Sequence, residues 1–355
     1  MKPRKGGTEE VNEIFERFFT KQQKKRWVKR YTWNAKETAK YKENLLATTD
    51  REPLSKKTIR DIEDYALERF KDIRYASWLE LFALYRGEFK EGWLPPLYFE
   101  NEWEFINTSY RSVSAAKTLN AKHIGSELLP DAYYHINGRW YNLRYKGVSK
   151  GDVVRCLKRS GEEYVILKID GGNRGRGCEV VSVDEVTKIQ CDCSVQKIVT
   201  ANSVFHALCP DALPTIRIIT ATGYGGRPRH VGSYLRVGRL KERWVQSATA
   251  LKIPVLDQCG RLKGEALDDK WRGYAEHPDT GARFSEIKIP RYLECVEKCV
   301  SAHDSVPFFS IVGWDLAVDN DERIWVLELN AGKPAVTFAE AAVGPMFSDV
   351  KFERR

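Results

Sequence analysis

The chain has 355 residues, 42% hydrophobic and 12% aromatic, enough apolar content for a substantial core and too much for a mainly disordered chain. Its 58 Lys and Arg against 49 Asp and Glu leave a formal charge of +9, which allows a polyanionic partner without requiring one. No run approaches the ~20 apolar residues of a spanning helix, and MKPRKGGTEE has no apolar segment behind its charges, so no membrane span and a cytoplasmic protein are expected. The eight cysteines form no CxxC pair and the six histidines do not gather near them, which favours reduced structural thiols over zinc ligands.

In chain order, residues 8 to about 90 are rich in helix formers. Ile62, Leu67, Phe70, Ile73, Leu79 and Phe82 recur at helical spacing, predicting a helical N-terminal region over 1–90. Within it KQQKKRWVKR, residues 21–30, carries six positive side chains, suiting either phosphate or RNA contact or the solvated face of a helix. The solvated face is the better reading, so nucleic acid is not the expected partner. Gly92, Pro95 and Pro96 then interrupt the pattern in EGWLPPLYFENEWEFIN, whose aromatics read as an interface packed on the next domain. From residue 118 onward β-rich runs take over: 164–169, 179–183, 195–199, 215–220, 231–237, 311–318 and 324–329. The expected class is α+β with antiparallel hairpins.

YVILKIDGGNRGRGCEVVSV, residues 164–183, runs a hydrophobic strand past Lys168 into a loop with Gly171, Gly172, Gly175 and Gly177. Such glycines let backbone N–H groups approach an anion, and Lys168, Arg174 and Arg176 add positive charge, so the loop reads as a phosphate cover. No GKS or GKT motif is present after it, and no helix opens there, so neither a P-loop nor a dinucleotide fingerprint is present.

IVGWDLAVDNDERIWVLELNAGKP, residues 311–334, places two β runs around the turn-forming DNDE at 319–322. A loop symmetric about Asn320 and Asp321 sets Val318 opposite Arg323 and Asp315 opposite Val326. Val312, Trp314, Leu316, Val318, Trp325, Leu327 and Leu329 then share a core face, while Asp315, Glu328 and Asn330 converge on the other beside Gly313 and Ala317. Two carboxylates and an amide make an oxygen-rich site for a hard cation such as Mg²⁺ carried on phosphates. The competing reading is the polar outer face of an ordinary hairpin, and a one-residue slip would separate the three groups.

Together, LKIDGGNRGRG, PTIRIIT (214–220), HPDTG (277–281) and GWDLAVDNDERIWVLELNAG resemble the ATP-grasp superfamily, in particular its sugar-transfer branch tied to polysaccharide biosynthesis. The resemblance spans roughly 88–345. It implies two α+β subdomains clamping ATP between antiparallel sheets: a pre-ATP subdomain at 91–160, a lid at 161–200 and a catalytic part at 201–355. Lys168 would meet the nucleotide phosphates or adenine, and the loop Gly171, Gly172, Asn173, Arg174, Gly175 and Gly177 would close over the phosphates. Gln196, Lys197 and Val199 would face adenine, Asn202 the ribose, and Lys122 in LNAKHIG would be a second phosphate lysine. Arg217 and Arg236 would stabilise the transferring phosphoryl group, and Asp315, Glu328 and Asn330 would hold Mg²⁺, with two ions expected.

The implied activity is an ADP-forming carboxylate-amine ligase working through an acylphosphate, on small-molecule carboxylate and amine substrates. A small-molecule kinase on the same site and a non-catalytic nucleotide or nucleic-acid binder are the alternatives. WVQSATALKIP, residues 244–254, lacks a glycine found in relatives, which puts the acceptor pocket in question; Arg272, His277 and Arg283 are candidate contacts to an acid, with structural or surface roles favoured. The oligomeric state is open, a homodimer being allowed.

Overall fold

The computed structural model describes residues 21–99, 107–172, 177–240, 242–246 and 248–350. It opens with helices α1 (Lys21–Thr48), α2 (Lys56–Phe70) and α3 (Ala76–Arg86). Ser55 caps α2 by accepting the Thr58 N–H at 3.0 Å, and Lys71 ends it in a left-handed conformation. The apolar period over 62–82 is therefore carried by two helices, with Leu67 and Ile73, at the break, left 46% and 47% exposed. The basic run lies on α1.

The short helix α4 (Asn120–Ile124) leads into β1 (Asp131–Ile136), β2 (Arg139–Asn142) and β3 (Gly147–Val148), then α5 (Lys150–Arg159), β4 (Tyr164–Ile169), β5 (Cys178–Ser182) and β6 (Cys193–Lys197). These strands form one antiparallel sheet in the order β3-β2-β1-β6-β4-β5. It draws on both the 91–160 and the 161–200 stretches, because β1 pairs with β6. The β1–β2 turn is Asn137-Gly138, both at positive φ, the chemistry a two-residue hairpin demands.

The second sheet holds β7 (Thr215–Ala221), β8 (Arg229–Val237), β9 (Leu251–Pro254), β10 (Ala266–Leu267), β11 (Gly273–Tyr274), β12 (Ile311–Val318) and β13 (Ile324–Asn330), in the order β11-β10-β9-β8-β7-β12-β13. Helices α6 (Tyr292–Asp304) and α7 (Thr337–Val343) complete the described chain. One face of this sheet, with Ile216, Ile218, Leu235, Trp314 and Leu316, packs on Cys295, Cys299 and Ala302 of α6. On the other, Ile219, Ala221, Tyr234 and Leu267 join a core with Leu45, Leu79, Phe82 and Trp93 of the N-terminal region and Phe338 of α7.

The N-terminal helices are thus a lid on one half of a sheet face. The end of α1 meets the sheet edge, where the Gly273 N–H donates to Thr48 Oγ1 at 2.8 Å. A Cβ at Gly273 would lie 2.3 Å from Thr49 Cγ2, so this edge contact requires glycine.

Glu340 on α7 fastens the same layer. Its two carboxyl oxygens accept the Leu94 N–H at 2.9 Å and the Met346 N–H at 3.1 Å, and its carbonyl takes Trp93 Nε1 at 2.9 Å. Burial pushes the carboxyl up to about 8, against the pull of the two N–H groups. Below the ordinary carboxylate range this group costs nothing; between there and about 8 the unfolded chain holds fewer protons, so stability falls as pH rises. The Tm of the wild type, measured against Glu340→Gln, should drop by ~5 °C between about pH 5.5 and about pH 8.5. A pH-independent difference would show that Glu340 is ionised throughout.

Candidate functional site

The hairpin β12–β13 brings its three oxygen-bearing side chains onto one face by a route the symmetric turn did not anticipate. Val318 pairs with Ile324, Ala317 with Trp325 and Leu316 with Val326, then a bulge shifts the register so that Asp315 faces Glu328 and Gly313 faces Asn330. Ile324 and Val326, not Trp325 and Leu327, therefore complete the core face, and Leu327 is the extra residue. Bulges concentrate where a side chain must be re-aimed. Without this one, Glu328 would turn into the core and Leu327 would oppose Asp315.

Asp315 is 5% exposed and Arg217, directly across on β7, is 4% exposed. Arg217 donates from Nε to Asp315 Oδ1 at 2.8 Å and from Nη2 to Oδ2 at 2.9 Å, while Nη1 holds the Pro334 carbonyl at 2.8 Å. Arg236 reaches Asp315 Oδ2 at 3.5 Å, and Asn330 Nδ2 approaches the same oxygen at 3.4 Å. Burial alone would push the Asp315 carboxyl up; Arg217 and Arg236 beside it hold it below the usual carboxylate range. Burial likewise opposes the Arg217 charge, and Asp315 outweighs it. Gly313 makes room for this fork, since a Cβ there would lie 2.5 Å from the Pro334 carbonyl oxygen and 2.9 Å from Arg217 Nη1.

Glu328 has its own cation. Lys117, 5% exposed, donates to Glu328 Oε1 at 2.5 Å and to the Ser114 carbonyl at 3.3 Å. Sequence reasoning passed over this lysine in favour of Lys122, whose ammonium instead lies 4.7 Å from the Tyr145 ring centroid. SAAKTLN gives a slight signal at best, one cation in a small-residue run that folds as a 3-10 turn.

From the other sheet, Lys168 donates to the Leu327 carbonyl at 2.8 Å, the carbonyl of the bulge residue. Lys168 pairs with Cys178 and Ser194, and lies on the face opposite the buried Val165 and Leu167. The glycine loop begins beside it: the Gly171 N–H is held by the Ala115 carbonyl at 2.9 Å, and Asp170 accepts both the N–H (3.0 Å) and the hydroxyl (2.6 Å) of Thr118. Gly171, followed by Gly172, and Gly177 flank the tip, with 171 and 177 at positive φ; Asn173, Arg174, Gly175 and Arg176 lie outside the described residues.

The hinge candidates separate by what their groups do. Gln196 donates to Asp131 Oδ1 at 2.5 Å and Tyr134 to Oδ2 at 2.7 Å, a buried carboxylate that sequence reading missed and that burial pushes up. The Lys197 N–H is taken by the Pro130 carbonyl at 2.9 Å and its ammonium lies 3.5 Å from Glu162, while the Val199 N–H has no partner among the described residues. A cleft of about 290 Å³ opens here between Pro130, Lys197, Val199, Asn320 and Trp325. Asn202 is a fastener rather than a free amide: its N–H and Nδ2 hold the Val318 and Asp319 carbonyls at 3.0 and 2.8 Å, and its Oδ1 caps the next turn.

The motif HPDTG explains itself structurally. His277 lies 3.0 Å from the Gly238 carbonyl, and Asp279 holds both Nε and Nη2 of Arg239 at 2.5 Å, so it anchors the chain three residues past Arg236, just beyond the end of β8. Arg272 is paired with Asp268 at 2.6 Å, and Arg283 is exposed.

Lys117, Lys168, Arg217 and Arg236 thus set four cations around two carboxylates, a surplus matched to polyphosphate. Among the described residues no group of three or more His, Cys, Asp or Glu converges. The donor set of Asp315, Glu328 and Asn330 therefore fits a hard cation that takes most of its ligands from phosphate, and does not fit an all-protein cage. No described helix is long and apolar enough to cross a membrane.

No curated protein matches the chain. Among solved structures, it is similar to an N5-carboxyaminoimidazole synthetase from Staphylococcus aureus (11% identity, 62% of this chain and 46% of that one, TM-score 0.36). It is also similar to a biotin carboxylase from Campylobacter jejuni (14%, 66% and 45%, TM-score 0.36) and a D-alanine-D-alanine ligase from Coxiella burnetii (11%, 69% and 57%, TM-score 0.35). The chain spans less than half the length of the first of these. Residues 182–351, just under half of the chain, match the family described as sugar-transfer associated ATP-grasp. The matched stretch contains Arg217, Arg236, Asp315, Glu328 and Asn330, so this half of the site lies where the chain resembles the sugar-transfer associated ATP-grasp family.

Proposed function

We propose that the protein is an ATP-dependent carboxylate-amine ligase that works through an acylphosphate. The observation that carries this is the convergence of Asp315, Glu328 and Asn330 on one hairpin face, ringed by Lys117, Arg217 and Arg236 and met by Lys168 from the opposite sheet. Such a ring suits a γ-phosphoryl group in flight, whose catalysis is mostly positioning and charge stabilisation.

In this reading Lys168 and the glycine loop that starts after Gly172 bind the phosphates, and the Val199 N–H meets the adenine edge with the Gln196–Lys197 hinge beside it. Asp315, Glu328 and Asn330 hold Mg²⁺, which when bound neutralises phosphate charge. Arg217 and Arg236 steady the equatorial oxygens as a substrate carboxylate oxygen attacks the γ-phosphorus and the bond to the β-phosphate oxygen breaks. ADP leaves and an acylphosphate remains. An amine then attacks the acyl carbon, the C–O bond to phosphate breaks, and the amine's proton goes to solvent or a base.

The test is product analysis with Mg-ATP against pools of amines and carboxylated sugars or amino acids. ADP and free phosphate in equal amounts, formed only when both substrate classes are present, are expected. AMP with pyrophosphate would overturn the acylphosphate route, and ADP without free phosphate would identify a kinase.

A further inference from the structure

A second cationic centre lies on the same sheet face as Asp315, at its far side. Directly opposed residues run in a line across the sheet: Asp315 pairs with Arg217, Arg217 with Tyr234 and Tyr234 with Pro254. Val255 bridges Leu262, so Lys263 stands opposite Pro254, whose carbonyl takes its N–H at 2.9 Å. Opposed residues share a face. Four strand spacings of ~4.8 Å put Lys263 about 19 Å from Asp315 along the sheet.

Around Lys263 the N-terminal region contributes the rest. Arg51 grips Glu265 with two bonds of 2.7 Å, donates from Nε to the Tyr85 carbonyl at 2.7 Å, and lies 4.7 Å from the Tyr85 ring centroid. The Lys263 ammonium lies 5.0 Å from the same centroid. Arg86, the last residue of α3, gives Nη1 to the Ala342 carbonyl at the end of α7 at 2.7 Å. Three cations therefore surround one carboxylate.

The group is short of acceptors as well as of negative charge. The Tyr85 hydroxyl, the Arg86 Nε and the Lys263 ammonium have no hydrogen-bond acceptor among the described residues. Tyr85 is 1% exposed, so its hydroxyl is cut off from bulk water. Polar groups withheld from water and from partners are costly, and a half-buried excess of two positive charges costs more. A purely structural clamp of Arg51 on Glu265 needs neither Arg86 nor Lys263.

We propose that Lys263, Arg51 and Arg86, with Tyr85 as their floor, form an oxyanion subsite for a phosphate or carboxylate group. Its ligand enters from the solvent side, where the Arg51 and Glu265 side chains are 19% and 20% exposed.

Burial, with Arg51 and Arg86 adding to it against Glu265, pushes the Lys263 ammonium down, which makes it a good target for amine acylation near neutral pH. The experiment is competitive acylation of the full chain, with labelling of Lys263 and Lys168 tracked separately by mass spectrometry. Inorganic phosphate and glucuronate are the probes, each with and without saturating Mg-ADP. Phosphate should slow labelling of Lys263 by about tenfold, with or without nucleotide, as an occupied charge-assisted site requires. Protection by phosphate but not glucuronate assigns a phosphate group, and the reverse assigns a carboxylate. Protection of Lys168 by Mg-ADP is the independent check on the nucleotide site, so its failure would sink the ligase reading and leave the subsite standing.

Titration of phosphate against Lys263→Gln with Mg-ADP present gives the second measurement. The variant should lose about tenfold in phosphate affinity with Mg-ADP affinity unchanged. Labelling of Lys263 that ignores both anions, or equal affinity in the variant for the anion that protects, would overturn the subsite.

Discussion

Replacing Arg217 with alanine is expected to destabilise the fold by about 3–5 kcal/mol, because Asp315 loses its bidentate partner in a nearly solvent-free interior and keeps only Arg236, at 3.5 Å. At roughly 2–4 °C per kcal/mol for a body of this size, the Tm should fall by about 10 °C or more. Both partners are nearly solvent-free and the fork is bidentate, with lengths of 2.8 and 2.9 Å, so solvent screening does little here. Arg217→Lys keeps the charge and loses the fork, and should recover only part of the loss. Asp315→Asn combined with Arg217→Met removes both charges and should be far more stable than Arg217→Ala alone. If Arg217→Ala melts with the wild type, the pair does not carry the stability assigned to it. In the double variant, with the fold kept, loss of ATP turnover separates the catalytic part of the pair from the structural one.

Glu328→Gln is expected to lower ATP turnover by about 10³-fold, the scale on which a single well-placed charge acts in phosphoryl and acyl transfer. It also strips the Lys117 ammonium of its countercharge, leaving it a neutral amide oxygen and the Ser114 carbonyl as acceptors. The variant should therefore lose stability as well, by roughly 1–3 kcal/mol. Adding Lys117→Met in the Glu328→Gln background should return the Tm toward the wild type and leave turnover as low as before. Turnover that returns with Lys117→Met would mean that the lysine, not the carboxylate, limits the reaction. Wild-type turnover in Glu328→Gln would remove this hairpin from the chemistry altogether.

Local pattern made much of this architecture legible. Seven β runs read from alternation and β-branched content correspond to strands, one displaced by two residues. The pairing of oxygen-bearing side chains at 315, 328 and 330 came out of parity along the strands, because two compensating errors cancelled: the turn closes one residue later than symmetry suggests, and the bulge at Leu327 adds another. Trp325 and Leu327 show where parity fails, since an apolar side chain looks like core whichever way the register turns it. The β1–β2 hairpin was readable, through Asn137-Gly138 between two aromatic runs, and went unread. Lys117 was not readable. Its role comes from a tertiary meeting with Glu328 across more than two hundred residues, and a lone lysine in a small-residue turn carries no local trace of that. The fold of residues 62–82 likewise hides a break at Lys71, where periodicity continues across a left-handed residue.

The bulge has a consequence for how this protein can vary. Residues 319–322 lie outside the paired strands, so the turn can be lengthened or shortened without moving Glu328 relative to Asp315. Between Leu327 and Asn330 the count is fixed. Deleting Leu327 would straighten the strand with Glu328 still opposite Asp315, and would take away the carbonyl that receives Lys168 from the other sheet, whereas deleting Leu329 would carry Asn330 to the opposite surface. Length polymorphism among natural variants should accordingly collect at the tip of this hairpin and stop abruptly at its bulge.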